Sequence, residues 1–240
     1  MDQLLIALDV ESGVEAARLA DDLRGAVGGF KVGHRLFTAE GPAIVRSLVE
    51  RGDRVFLDLK YHDIPNVVGQ AVSAATSLGA WMITVHTAGG VRMMQAAAEA
   101  ARSTAARHGR FAPLVVGVTV LTSLNGAMLA DTGVSGPVRD QVLRLARLAR
   151  TAGLDGVVAS PQETREIRQQ FGNGFAIVAP GIRGGASVAD RDDQERTMTA
   201  GEAVAAGASY IVVGRPVIGA PDPNRAAKQI GEEARAATSQ

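Results

Sequence analysis

The sequence contains no cysteine, an absence that removes disulfides, thiolate nucleophiles and cysteine-ligated zinc together and fits a reducing compartment. Net charge is missing too. The 25 Lys and Arg balance the 25 Asp and Glu with no long run of either sign, so the chain offers no field to DNA, RNA or an anionic membrane. Met1-Asp2-Gln3 carries no basic leader region and the first apolar run ends at Leu8. No later run reaches the roughly 18 apolar residues that mark a membrane span. These absences predict a soluble, cytoplasmic protein with neither nucleic acid nor membrane as partner. His34, His62, His86 and His108 show no H-x-x-x-H or carboxylate-paired spacing, so no metal is expected. Ser123 lacks the G-x-S-x-G elbow of a hydrolase.

What is present is a repeating alternation. With 240 residues and 46% hydrophobic content, the chain can bury a full core, and a single domain over 1–240 is expected. Apolar runs at Leu4 to Leu8, Phe30 to Gly33, Val55 to Lys60, Met82 to His86, Pro113 to Leu121, Val157 to Ala159, Phe175 to Ala179 and Tyr210 to Val213 read as strands. Amphipathic stretches at Val14 to Val27, about 35–50, Val67 to Leu78, Arg92 to His108, Val138 to Ala152, about 162–170, Gly201 to Ala206 and beyond Asp222 read as helices. Continuous rather than alternating apolar strands point to parallel strands covered on both faces. A (β/α)8 barrel is the economical closure. A doubly wound sheet normally announces itself with G-x-G-x-x-G after the first strand, whereas Asp9-Val10-Glu11-Ser12-Gly13 stands here.

Polar residues follow most of these strands: Asp9, Lys31, Asp58 with Lys60, His86, Thr122 with Ser123, Pro180-Gly181 before Arg183, and Gly214-Arg215. The carboxyl ends of barrel strands form the active-site face. The stretch Val55 to Pro65 is the densest of these. Side chains two apart on a strand share a face, so Asp58 and Lys60 point together, and Asp63 adds a second carboxylate two residues before Pro65. Charges set into an apolar frame are costly unless they neutralise one another.

These residues resemble the orotidine 5′-phosphate decarboxylase family. The likeness runs through A-L-D at Ala7 to Asp9, F-K-V-G at Phe30 to Gly33, D-L-K-Y-H-D-I-P-N at Asp58 to Asn66, L-T-S at Leu121 to Ser123, P-G-I-R at Pro180 to Arg183, D-Q at Asp193-Gln194 and V-G-R-P at Val213 to Pro216. The resemblance implies a homodimeric barrel that converts orotidine 5′-monophosphate to UMP and CO2 without metal or organic cofactor. It implies Lys31, Asp58 and Lys60 in a catalytic charge array, with Asp63 entering from the other subunit. Asp9 is implied on the ribose and pyrimidine side, Thr122 or Ser123 at the pyrimidine amide, and Arg183, Gln194, Gly214 and Arg215 at the phosphate, with Ile64 and Pro180 also in the substrate set. Val67 stands where the family often continues with Thr.

The chemistry suits that resemblance. Loss of CO2 leaves a carbanion at C6 in the ring plane, outside the π-system, and a fixed cation beside it is the most direct stabiliser. Lys60, held between carboxylates, can be that cation and then deliver a proton. A related class of barrels, including keto-gulonate phosphate decarboxylases and hexulose phosphate synthases, uses D-x-K-x-x-D with Mg2+. Those generally carry an acidic ligand where Lys31 stands, and a cation there repels Mg2+. A non-catalytic phosphoribosyl-binding protein is expected to have lost charges of this set, and none is lost.

Overall fold

In the computed structural model, which describes residues 2–183 and 198–238, eight parallel strands close on themselves. They are β1 (Leu4–Ala7), β2 (Gly29–Gly33), β3 (Val55–Tyr61), β4 (Met82–His86), β5 (Leu114–Val118), β6 (Gly156–Val158), β7 (Ala176–Ala179) and β10 (Tyr210–Val213). A two-stranded pair, β8 (Ile182–Arg183) with β9 (Met198–Thr199), stands outside the barrel. Closure is made by β1, which pairs Leu5 with Gly29 on one side and with Val212 on the other. Among the described residues no helix is long and apolar enough to cross a membrane.

The helices between strands are α1 (Gly13–Leu23), α2 (His34–Glu40), α3 (Pro42–Glu50), α4 (Pro65–Ser77), α5 (Gly90–Arg107), α6 (Gly126–Asp131), α7 (Val138–Thr151), α8 (Pro161–Phe171), α9 (Ala200–Ala205), α10 (Arg215–Ile218) and α11 (Pro223–Thr238). Several starts follow from local chemistry. The Ser12 hydroxyl accepts from the Glu15 backbone N–H, the Ser160 hydroxyl from Gln162 just before Pro161, and Thr199 and Glu202 cap one another reciprocally. The sequence pattern misses the short elements α6, α10, β8 and β9, and it differs from the structure elsewhere too. The helix expected over about 35–50 is two, because Gly41 turns the chain at φ 64° and Pro42 restarts it. The first helix stops at Leu23. The fifth strand ends at Val118, after which the Thr119 hydroxyl donates to the Val158 carbonyl at 2.9 Å.

Period-two alternation sorts each strand into two cores. Inward residues Leu5, Ala7, Phe56, Met82, Val116, Val178 and Val212 fill the barrel. Outward residues such as Ile6, Val32, Leu57, Ile83, Ile177 and Val213 pack against the helices. Both faces are therefore dry, which explains why the strands read as unbroken apolar runs. At the barrel floor the Trp81 ring meets Tyr210 edge-on at 5.2 Å and carries the Arg54 guanidinium 5.5 Å from its centroid. The register sets Ala7, Lys31, Phe56 and Met82 side by side around the barrel. Two residues further toward the mouth, Gly33 stands beside Asp58.

Candidate active site

The barrel mouth is built around a break in β3. Its pairing with β4 is regular at Leu57 with Ile83 and resumes at Tyr61 with Val85, so Asp58, Leu59 and Lys60 stand opposite Thr84 alone. A bulge of this kind re-aims side chains. Lys60 takes φ 47°, the only non-glycine residue with positive φ among those described, and a long side chain in that region stores backbone strain. The bulge is tied from both sides. His34 Nε2 donates to the Leu59 carbonyl at 3.2 Å, and the Lys60 N–H donates to Thr84 Oγ1 at 2.8 Å.

The bulge changes how Asp58 and Lys60 meet, since a flat strand with a shared face is not what holds them. They meet nonetheless. Lys60 Nζ lies 3.0 Å from Asp58 Oδ1 and 2.9 Å from Oδ2. Thr84 Oγ1 donates to Asp58 Oδ1 at 3.0 Å. Lys31 Nζ approaches Asp58 Oδ2 at 3.8 Å and donates to Asp9 Oδ1 at 3.1 Å. The charges thus alternate in sign along Asp9, Lys31, Asp58 and Lys60. Asp58 is 9% exposed, where an isolated carboxylate would be costly, and its two ammonium neighbours offset that cost. Gly33 leaves the space for this: a Cβ there would stand 2.6 Å from Lys31 Nζ.

Asp63 and Ile64 lie beyond the strand, before α4. The Asp63 carboxylate is exposed and accepts from the Ile64 N–H at 2.6 Å. Among the described residues no ion pair joins it to Lys60 of its own chain, whose carboxylate partner is Asp58. Ile64 is 65% and Val67 42% exposed, so an apolar strip adjoins the free face of Asp63. The His62 and His86 rings stack at 5.3 Å. His86 Nδ1 is buried without a hydrogen-bond partner among the described residues. Burial, with His62 and the Lys60 ammonium nearby, holds this imidazole below its ordinary 6.5, so at neutral pH it is uncharged.

Thr122 is half-buried and Ser123 exposed in the turn between β5 and α6. Pro180 follows β7, and Gly181 turns the chain at φ 79° into β8, which ends at Arg183. Gly214 follows β10, and Arg215, exposed, opens α10. Gln194 lies outside the described residues, as does the polar segment 184–196 around it. Thr84 has no part in the sequence motifs, Gly33 enters them only within F-K-V-G, and His34 only among the histidines that lack metal-ligand spacing. For Thr84 a signal existed: it is the one polar residue between Met82 and Val85, at an inward position.

A family model, Orotidine 5′-phosphate decarboxylase / HUMPS family, matches residues 2–230. The chain belongs to that family. It is 52% identical to the orotidine 5′-phosphate decarboxylase of Moorella thermoacetica over 233 residues, covering 97% of this chain and 92% of that one. It is likewise 52% identical to the Syntrophotalea carbinolica protein of the same name, covering 98% and 96%. The crystal structure of the Lactobacillus acidophilus orotidine 5′-phosphate decarboxylase superposes with a TM-score of 0.85 at 34% identity, over 96% of this chain and 98% of that one. This member of the family carries Lys31 between two carboxylates, and among its described residues no cluster of three His, Asp or Glu side chains is placed to hold a metal ion.

Proposed function

We propose that this chain, as one barrel domain, decarboxylates orotidine 5′-monophosphate to UMP and CO2 in de novo pyrimidine biosynthesis, through Lys60 and without metal or organic cofactor. The observation that carries this reading is the alternating row Asp9, Lys31, Asp58, Lys60 at the mouth. As the C6–carboxylate bond breaks, its electron pair stays on C6 and CO2 departs. The Lys60 ammonium faces that developing charge from a preorganised position, with little reorganisation required at the moment of reaction. A proton then passes from Nζ to C6, and the neutral amine recovers its proton from solvent. Lys31 holds Asp58 and Asp9 in place and joins the charge array.

Binding roles follow the mouth. Asp9 takes the ribose and pyrimidine side, Thr122 or Ser123 the pyrimidine amide, and Ile64 and Pro180 the apolar walls. Arg215, Gly214, Arg183 and Gln194 take the phosphate, the region after the last two barrel strands being where such barrels commonly bind it. Asp63 completes the array of a second subunit in a two-fold dimer; its exposure and the apolar strip of Ile64 and Val67 support this. The cysteine-free composition supports a cytoplasmic location.

The direct test follows the loss of orotidine 5′-monophosphate absorbance with purified protein. Turnover by the wild type, abolished in Lys60→Ala, is expected. A wild type that leaves the substrate unchanged overturns the reading.

A further inference from the structure

Four hydrogen bonds at the β3 bulge form a closed ring that begins and ends on one residue. The Lys60 N–H donates to Thr84 Oγ1 at 2.8 Å, Thr84 Oγ1 donates to Asp58 Oδ1 at 3.0 Å, and Lys60 Nζ donates to both Asp58 oxygens at 3.0 and 2.9 Å. A hydroxyl has one proton to give. Because Thr84 Oγ1 accepts from the Lys60 amide, its own proton is free to point at Asp58, and the direction of the ring is fixed. Thr84 is fully buried, so no water competes for either bond.

We propose that Thr84 is the positioning residue for Lys60: its hydroxyl holds the lysine backbone in the left-handed conformation and Asp58 beneath the ammonium, and so sets where Nζ stands. This rests on Lys60 as the proton donor of the proposed reaction. The backbone at φ 47° is not one that lysine favours, and β4 offers only Thr84 opposite three residues of β3. Without the hydroxyl, the Lys60 N–H loses its acceptor and Asp58 loses one of its fixed donors. Both losses move Nζ and neither touches the phosphate end. The effect therefore falls on the chemical step.

Thr84→Val keeps shape and removes the hydroxyl; Thr84→Ala is a second hydroxyl-free variant; Thr84→Ser keeps the hydroxyl and loses the methyl. A displacement of about 1 Å at a reacting group costs about 10²-fold, so kcat is expected to fall by that factor in Thr84→Val and Thr84→Ala, with KM and the Kd for UMP within about threefold. Thr84→Ser should restore kcat to near wild type. Hydrogen exchange supplies a readout independent of turnover: the Lys60 amide should exchange faster in the two hydroxyl-free variants and slowly in Thr84→Ser.

Unchanged kcat in Thr84→Val beside an active wild type overturns the role of Thr84 and leaves the decarboxylase reading standing. Unchanged protection of the Lys60 amide overturns it whether or not the protein turns over. A Thr84→Ser variant as impaired as Thr84→Ala assigns the effect to the methyl and overturns it too. Loss of folding in both hydroxyl-free variants, with Thr84→Ser folded, assigns the hydroxyl to stability and has the same result.

Discussion

Replacing Gly33 with alanine separates the fold from the charge array at a single atom. Gly33 has φ −100° and ψ −172°, extended backbone that alanine adopts without strain, so in the folded state the substitution acts only through its new Cβ. That atom would stand 2.6 Å from Lys31 Nζ and 3.3 Å from Asp9 Oδ1. Non-bonded atoms of this size rest about 3.5 Å apart, so the ammonium must withdraw by about 1 Å. Nζ ends a flexible stem, and the bend costs roughly 0.5–1.5 kcal/mol of rotamer energy. The loss of glycine freedom in the unfolded chain offsets about 0.4–1 kcal/mol of that. Net stability should change by less than about 1 kcal/mol.

The site has no such tolerance. The 3.1 Å bond from Lys31 to Asp9 and the 3.8 Å approach to Asp58 both shift. A misplacement of about 1 Å predicts a fall of about 10²-fold in kcat, equivalent to about 2.7 kcal/mol in the barrier. Urea unfolding and the absorbance assay on the same preparation measure the two quantities. Full activity in a variant of wild-type stability would refute the reasoning, and so would a loss of activity that merely tracks unfolding.

Further outcomes can be stated for the other parts of the site. Arg215→Ala should raise KM by about 10-fold or more, since a hydrogen bond to a charged group contributes about 1.5–3 kcal/mol, with kcat reduced as well if phosphate binding closes the site; unchanged kinetics would remove Arg215 from it. Protein dialysed against EDTA should keep its activity, whereas abolition by EDTA with rescue by Mg2+ would favour sugar-phosphate chemistry. Lys60→Ala and Asp63→Ala homodimers should each be nearly inactive, yet chains refolded together at equal concentration should recover about a quarter of wild-type activity, because half the dimers are mixed and half their sites intact. A mixture that stays inactive would return Asp63 to its own chain. For His86, whose folded value is depressed by burial first, the unfolded chain binds the extra proton. The stability from keeping it neutral is present above 6.5 and is lost as pH falls through the folded value. Urea unfolding at pH 7.5 and 5.5 should show a larger loss in wild type than in His86→Asn, and equal losses would count against it.

The barrel was legible because each of its strands is dry on both faces, which leaves a continuous apolar run with a polar residue at its end. Gly41-Pro42 was the breaker that the helical pattern concealed, since apolar residues continue on both sides of it. Asp58 and Lys60 were legible as a pair, but not the way they pair. Spacing of two implies a flat strand, and the positive φ of Lys60 arises from what β4 places opposite, a tertiary fact that no local pattern carries. Thr84 was not legible as a site residue because it lies one layer below the end of β4, inside the strand. Whether Asp63 serves its own site or a neighbour's depends on a second chain, and one sequence does not encode that distance.

The filled barrel has a consequence for traffic. Phe56, Met82, Val116, Val178 and Val212 close the passage beneath the charged row, and Trp81 and Tyr210 close it again at the floor. Each of these five interior side chains is almost fully buried. In the proposed reaction nucleotide, carbon dioxide and the proton that recharges the amine would all pass through the mouth of the barrel. A bound product would then stand between the amine and its supply of protons, and release of the nucleotide would ready the lysine for the next turnover.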